Sequence, residues 1–151
     1  MQYVTPEQSG TNKEQTMTSS PNRLIAAIFG AVYLLVGLAG FAVTSGAQFA
    51  GTEGGTLIIF EVNPLHNIVH LLIGIALLVG SRTVPSAKGV NTTIGAVYLL
   101  VGVVGLFLLE SSANILALNG ADNVLHLASA VLLLGVGLTQ DRAAATSTRA
   151  A

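Results

Sequence analysis

Histidine and asparagine are the residues in this chain whose types and spacing could do chemistry. Asn63, His66, Asn67 and His70 follow at i, i+3, i+4 and i+7, so a helix would present all four on one face. Asn119, Asp122, Asn123, His126 and Ser129 repeat that arrangement further along the chain. Several chemistries fit such faces. Asn67, His70, Asn123 and His126 could form a buried hydrogen-bond cluster that fixes helix register, with Asn63, His66, Asp122, Tyr33 and Tyr98 joining the same polar constellation. His70 and His126 could be the two axial ligands of a b-type haem held between helices. Titratable imidazoles could also line a proton or small-solute path in an oligomer. His66 and His70, four apart, could hold a metal with Asp122 or Glu61, but their outer position makes an adventitious surface site the ordinary explanation, and no dedicated metal site is expected. The chain has no cysteine, which removes thiolate chemistry and disulfides. No nucleophile, base and orienting group stand in a recognisable set, so no catalytic residue is assigned and an enzyme is not expected.

The elements that must position these residues follow from composition. Only 9% of the 151 residues are charged while 52% are hydrophobic, and the apolar residues come in blocks. A soluble domain carries roughly 25% charged residues. The natural solvent for this chain is lipid. The expected fold is an all-α membrane protein with four transmembrane helices, running from about Leu24 to Val43, Asn63-Pro64 to Gly80, Val90 to Leu109 and Asp122 to Leu138. Ser20-Pro21 and Asn63-Pro64 mark two of the starts, because proline in the first turn gives up only an N–H that would be unpaired anyway. Residues 1–22 and 139–151 read as loose polar tails around a membrane domain at 23–138, and Met17 offers an alternative start. The Leu57–Phe60 stretch is too short to span and is expected to lie on the outer interface.

An internal repeat organises the four spans. Residues 30–37, Gly-Ala-Val-Tyr-Leu-Leu-Val-Gly, recur unchanged at 95–102, and Gly40 then matches Gly105. Asn67 and His70 align with Asn123 and His126, and His66 aligns with Asp122. The chain is therefore two copies of one helical hairpin, in a parallel repeat about an axis along the membrane normal. Gly30, Gly37 and Gly40, with Gly95, Gly102 and Gly105, are the expected close-packing positions, leaving room for an imidazole near Gly37 and near Gly102 or Gly105. Lys13, Arg23, Arg82, Lys88, Arg142 and Arg149 all precede span one, join spans two and three, or follow span four, whereas the other two loops hold none. The positive-inside rule then places both termini in the cytoplasm of a multi-pass plasma-membrane protein. Its partners are expected to be the bilayer and, through its small-residue surface, other membrane subunits or copies of itself. A net charge of −1 leaves no footprint for nucleic acid.

The run Asn63-Pro64-Leu65-His66-Asn67 with His70, followed by Asn123 and His126, resembles a family of small four-helix bacterial membrane proteins, mostly actinobacterial, designated domain of unknown function number four-three-eight-three. The likeness covers residues 24–138. It implies a bacterial plasma-membrane protein and no particular activity.

Overall fold

In the computed structural model, residues 17–141 are described. Of the expected tails, residues 1–16 and 142–151 lie outside that range, and with them Lys13, Arg142 and Arg149. Four helices form the body: α1 (Pro21–Gly40), α2 (Pro64–Gly80), α3 (Val84–Leu108) and α4 (Gly120–Thr139). A two-stranded antiparallel hairpin, β1 (Gly55–Leu57) and β2 (Phe60–Val62), adds a small departure from an all-helical chain.

Each helix start carries a capping device written in the local sequence. Ser20, Asn63, Thr83 and Asn119 are the N-caps, and their side chains accept from the backbone N–H of Arg23, His66, Ser86 and Asp122. Such caps satisfy donors that no earlier turn can reach. Thr83 and Pro85 start α3 six residues before the expected Val90, because a cap and an early proline outweigh the modest hydropathy of residues 84–89. At the other end of α1 the helix stops at Gly40 rather than Val43. There Phe41, Ala42 and Val43 donate to Leu38, Ala39 and Gly40, the i to i+3 winding that tightens a final turn.

The helices are inverted relative to a soluble bundle. In α1 the buried residues are Asn22, Ala26, Gly30, Tyr33, Gly37 and Gly40, whereas Ile28, Val32, Leu35 and Leu38 are exposed. The same pattern holds in α4, with Asp122, Asn123, His126 and Ser129 inside and Val124, Val131, Leu132 and Leu138 outside. In water this arrangement would waste the apolar surface and desolvate the polar groups. In hydrocarbon it is the favourable one, since the exterior loses nothing and the interior helices hold together through small residues and hydrogen bonds. Helices α1, α3 and α4 are long and apolar enough to cross a membrane. Helix α2, at 17 residues, is shorter, and at 1.5 Å per residue extends roughly 26 Å against a hydrocarbon core of about 30 Å.

Glycine sets the closeness of α1 to α2 and of α3 to α4. A Cβ on Gly30 would stand 2.9 Å from the Leu78 amide nitrogen, and one on Gly95 would stand 2.8 Å from that of Leu134. Gly37 faces Leu71 and Gly102 faces Leu127, while Gly40 and Gly105 face the side chains of Asn67 and Asn123. The glycine stripes therefore make room for leucine and asparagine. They were expected to accommodate the imidazoles, but those stand one position before each leucine, turned from the glycine face toward the other hairpin.

The starts of α1 and α3 and the ends of α2 and α4 lie at one end of the bundle. Arg23 Nε donates to the Ser81 carbonyl, and Lys88 Nζ donates to the Gln140 carbonyl. At the opposite end, residues 41–63 and 109–119 fold into a cap that buries Val62, Ala117 and Leu118. Leu57–Phe60 forms the tip of the β-hairpin in that cap, with Ile58 and Ile59 exposed and Ile58 at φ 64°, a costly backbone for a β-branched residue.

Candidate functional site

All three histidines of the chain meet in one place beneath the cap. His66 and His70 come from successive turns of α2 and His126 comes from α4. They are 1%, 3% and 2% exposed, and a ring nitrogen from each lies within 4.8 Å of the others. The His66 and His70 rings are 4.4 Å apart between centroids, and His126 stands 5.9 Å from the first and 6.3 Å from the second.

The two tyrosines of the repeated octapeptide support this group from α1 and α3. Tyr98 stacks on His126 with centroids 5.0 Å apart and planes at 15°, and Tyr33 lies 5.3 Å from His70. The tyrosine rings are 5.1 Å from each other. Tyr33 Oη donates to Ser129 Oγ at 2.7 Å, tying α1 to α4 across the bundle. Every helix thus contributes an aromatic ring to one continuous stack.

The asparagines do other work. Asn67 Nδ2 donates to Thr44 Oγ1 at 3.3 Å, and Asn63 Nδ2 donates to the Gly51 and Ile115 carbonyls at 2.8 Å each, stitching both cap loops to the start of α2. Asn119 Nδ2 donates to the Ile59 carbonyl. Asp122, aligned in sequence with His66, faces the cap: its Oδ2 accepts from the Asn119 amide at 3.0 Å and the Glu61 amide at 3.3 Å. Glu61 Oε1 in turn accepts from the Gly54 amide. The two acids named beside His66 and His70 are therefore engaged in closing the cap, and the third group at the histidines is His126.

The hydrogen bonding of the imidazoles also differs from a bonded Asn/His cluster. Both ring nitrogens of His70 and Nδ1 of His126 are buried with no hydrogen-bond partner among the described residues, as are both side-chain amide atoms of Asn123, while the His66 ring makes only loose contacts with the Glu61 and Leu116 backbone. Buried polar atoms are ordinarily paired. The three imidazoles, with Val69, Ile73, Val97, Tyr98, Val101 and Leu116, enclose a cavity of about 30 Å³. Pockets that hold drug-sized or larger organic ligands run to roughly 300–1,000 Å³. This one has the dimensions of an ion or a water, and a macrocycle between His70 and His126 would have to displace His66.

A second polar group, absent from the sequence reading, closes the opposite end of the bundle. Asp141 Oδ2 accepts from Ser20 Oγ at 2.7 Å and from the backbone and side-chain nitrogens of Asn22 at 3.1 Å each. Asn91 Nδ2 donates to the carbonyl and to Oδ1 of Asn22, both at 3.0 Å, and both asparagines are fully buried. Burial acts to raise the Asp141 carboxyl, but the hydrogen bonds from Ser20 and Asn22 and the charge of Lys88 outweigh it and hold the group below the usual carboxylate range. Asn91, a polar residue inside an expected span, was the available signal, whereas Asn22 fell in the expected polar tail and joins α1 only in the structure. Asp141 gave none, being placed by the end of α4 in what reads as a polar tail.

No curated protein and no solved structure matches the chain significantly. A family model does, over residues 23–139, a range that takes in all four helices, the cap and the three histidines. Described as Domain of unknown function (DUF4383), that is the family to which this chain belongs.

Proposed function

We propose that this protein is a four-span integral component of a bacterial plasma membrane, a structural or accessory subunit rather than a catalyst, with both termini in the cytoplasm. The observation that carries this reading is the inversion of the bundle: each helix turns polar or small residues inward, such as Tyr33, His70, Tyr98 and His126 beside a few buried aliphatics such as Leu77 and Leu133, while most of its leucine, valine and isoleucine side chains face outward. Such a surface is stable only where hydrocarbon covers it. Helix α2 completes the fourth crossing as the inner partner of α1, its short length compensated by the cap.

The orientation rests on charge. Arg23, Arg82 and Lys88 gather where α1 and α3 begin, and Glu53, Glu61, Glu110 and Asp122 belong to the capped end. Cationic flanks are retained on the cytoplasmic side. The matching residues of the two hairpins support a parallel repeat, each copy entering the membrane from the same side.

Because the chain lacks cysteine, single substitutions report topology without background. Glu53→Cys should react with a membrane-impermeant maleimide in intact cells and Ser86→Cys only after lysis. The reverse pattern would overturn the orientation, and labelling of both from outside would remove a crossing. Gentle solubilisation should then recover a stoichiometric membrane partner or a defined homo-oligomer. A monomer that turns over a substrate would refute the accessory role.

A further inference from the structure

The histidine cluster has a chemistry that a packing role does not require. We propose that His66, His70 and His126 bind a single late first-row transition-metal ion, for which Zn²⁺ is the reference case. This goes beyond the accessory-subunit reading and does not depend on the orientation of the chain in the membrane.

Three observations converge. The residue type is right, since neutral imidazole is a ligand for zinc, copper, nickel and iron. The geometry is nearly right: one nitrogen from each ring lies within 4.8 Å of the others. Zn–N bonds of about 2.0–2.1 Å in a tetrahedral site put ligand nitrogens roughly 3.4 Å apart. Small rotations of rings on two facing helices, around the 30 Å³ cavity that they already border, would supply the contraction. The third observation is chemical. Both ring nitrogens of His70 and Nδ1 of His126 are buried with no hydrogen-bond partner among the described residues, and His66 has at best weak contacts with the Glu61 and Leu116 backbone. A polar atom buried in that way is costly, and metal coordination is one of the few interactions that offsets the cost at three imidazoles together.

The surroundings fit a binding site. Tyr98, which itself borders the cavity, stacks on His126, and Tyr33 lies beside His70, so two of the three rings are held by aromatic neighbours. Three protein ligands leave one coordination position for water or an exogenous group, the pattern of an open rather than a closed site. Val101 and Leu116 border both the histidine cavity and an apolar groove of about 350 Å³ between α3 and the second outer loop, which gives the site an approach from the capped side. No soft sulfur ligand is present to favour Cu(I), because the chain has no cysteine and its two methionines, Met1 and Met17, precede the first helix.

The test uses the full chain, purified in detergent and stripped with a chelator. Zn²⁺ titration should give one tight equivalent per chain, and Co²⁺ in its place should give the strong visible absorption of a tetrahedral nitrogen-ligated ion. His70→Asn should weaken Zn²⁺ binding by at least roughly 100-fold, the upper range already seen for mere outer-shell partners. Asp122→Asn, whose side chain faces the cap, should retain the equivalent. Absence of stoichiometric binding by the folded wild-type chain would overturn the proposal. So would a Co²⁺ spectrum that is weak and octahedral, the mark of an exposed adventitious site. Binding that survives His70→Asn would do the same. Should His70→Asn fail to fold, the wild-type Co²⁺ spectrum decides between an imidazole site and an adventitious one.

Discussion

In the α1–α2 hairpin Gly40 lies against Asn67, Gly37 against Leu71 and Gly30 against Leu78, and in the α3–α4 hairpin Gly105 lies against Asn123, Gly102 against Leu127 and Gly95 against Leu134. The packing of the two halves is thus the same set of contacts made twice. Their chemistry is not. The first hairpin brings two histidines to the centre and the second brings one, because the place of His66 is taken by Asp122, which turns to the cap and accepts two backbone hydrogens. The Asn67 side chain finds Thr44, whereas that of Asn123 finds no hydrogen-bond partner among the described residues. Where Gly74 lets α2 touch the α1 backbone, the matching residue of α4 is Ala130. A duplicated scaffold can hold its backbone geometry while single polar positions diverge, since close packing depends on the small residues and the chemistry depends on the others.

That contrast can be broken at the closest backbone approach between helices. A Cβ on Gly74 would stand 2.7 Å from the Leu34 amide nitrogen and 2.9 Å from the Gly30 carbonyl, both backbone atoms that cannot swing aside. Gly74→Leu should cost about 3 kcal/mol, the upper end for overpacking, in reversible unfolding followed by circular dichroism in mixed micelles. A loss under ~1 kcal/mol would show that α1 and α2 are less closely held than the glycines imply.

Next in size is the residue at which the halves diverge. Asp122→Ala removes a capping box and the link to Glu61, and should destabilise by about 1–2 kcal/mol while speeding proteolysis of the cap loops. Tyr33→Phe should cost about 0.6–1 kcal/mol, the worth of one interhelical hydrogen bond in a membrane bundle. Because Tyr33 bonds Ser129 in the other hairpin, Tyr98→Phe in the second copy should differ from it, which separates the roles of two residues that the repeat makes equivalent.

The smallest effect is at the opposite end. Asp141 is held below the ordinary carboxylate range, so the stability it contributes is complete above the unfolded value of about 3.9 and is lost as pH falls through the depressed folded value. Wild-type chain should therefore lose stability on acidification below about pH 4, and Asp141→Asn should lose less over the same interval. Equal slopes for the two proteins would remove Asp141 from the account.

Much of the frame was legible because the forces that set it are local or compositional. The four apolar blocks, the proline-led starts at Pro21 and Pro64, and the glycine stripes all follow from residues read a few positions apart. The early start of α3 at Thr83 was readable in principle, but hydropathy drew the boundary where the apolar run strengthens instead of where the cap and Pro85 begin the helix. Asn91, a polar residue within an apolar span, signals a buried partner, but Asn22 reads as tail because the apolar run begins only at Leu24. Asp141 gives no signal, because nothing in a terminal Gln-Asp-Arg shows which helix start it will reach.

By itself the sequence determined that four apolar helices form, which face of each is polar, and that two hairpins share one pattern, because helix periodicity and glycine spacing act within a single element. Only the tertiary structure decided that His66 and His70 would meet His126 rather than Asp122 or Glu61. Each histidine face was fixed by its own helix, but the rotation and depth of α2 against α4 depend on packing across both hairpins and on the cap above them. A contact between helices 60 residues apart is the outcome of all those interfaces together, and no spacing along the chain encodes it.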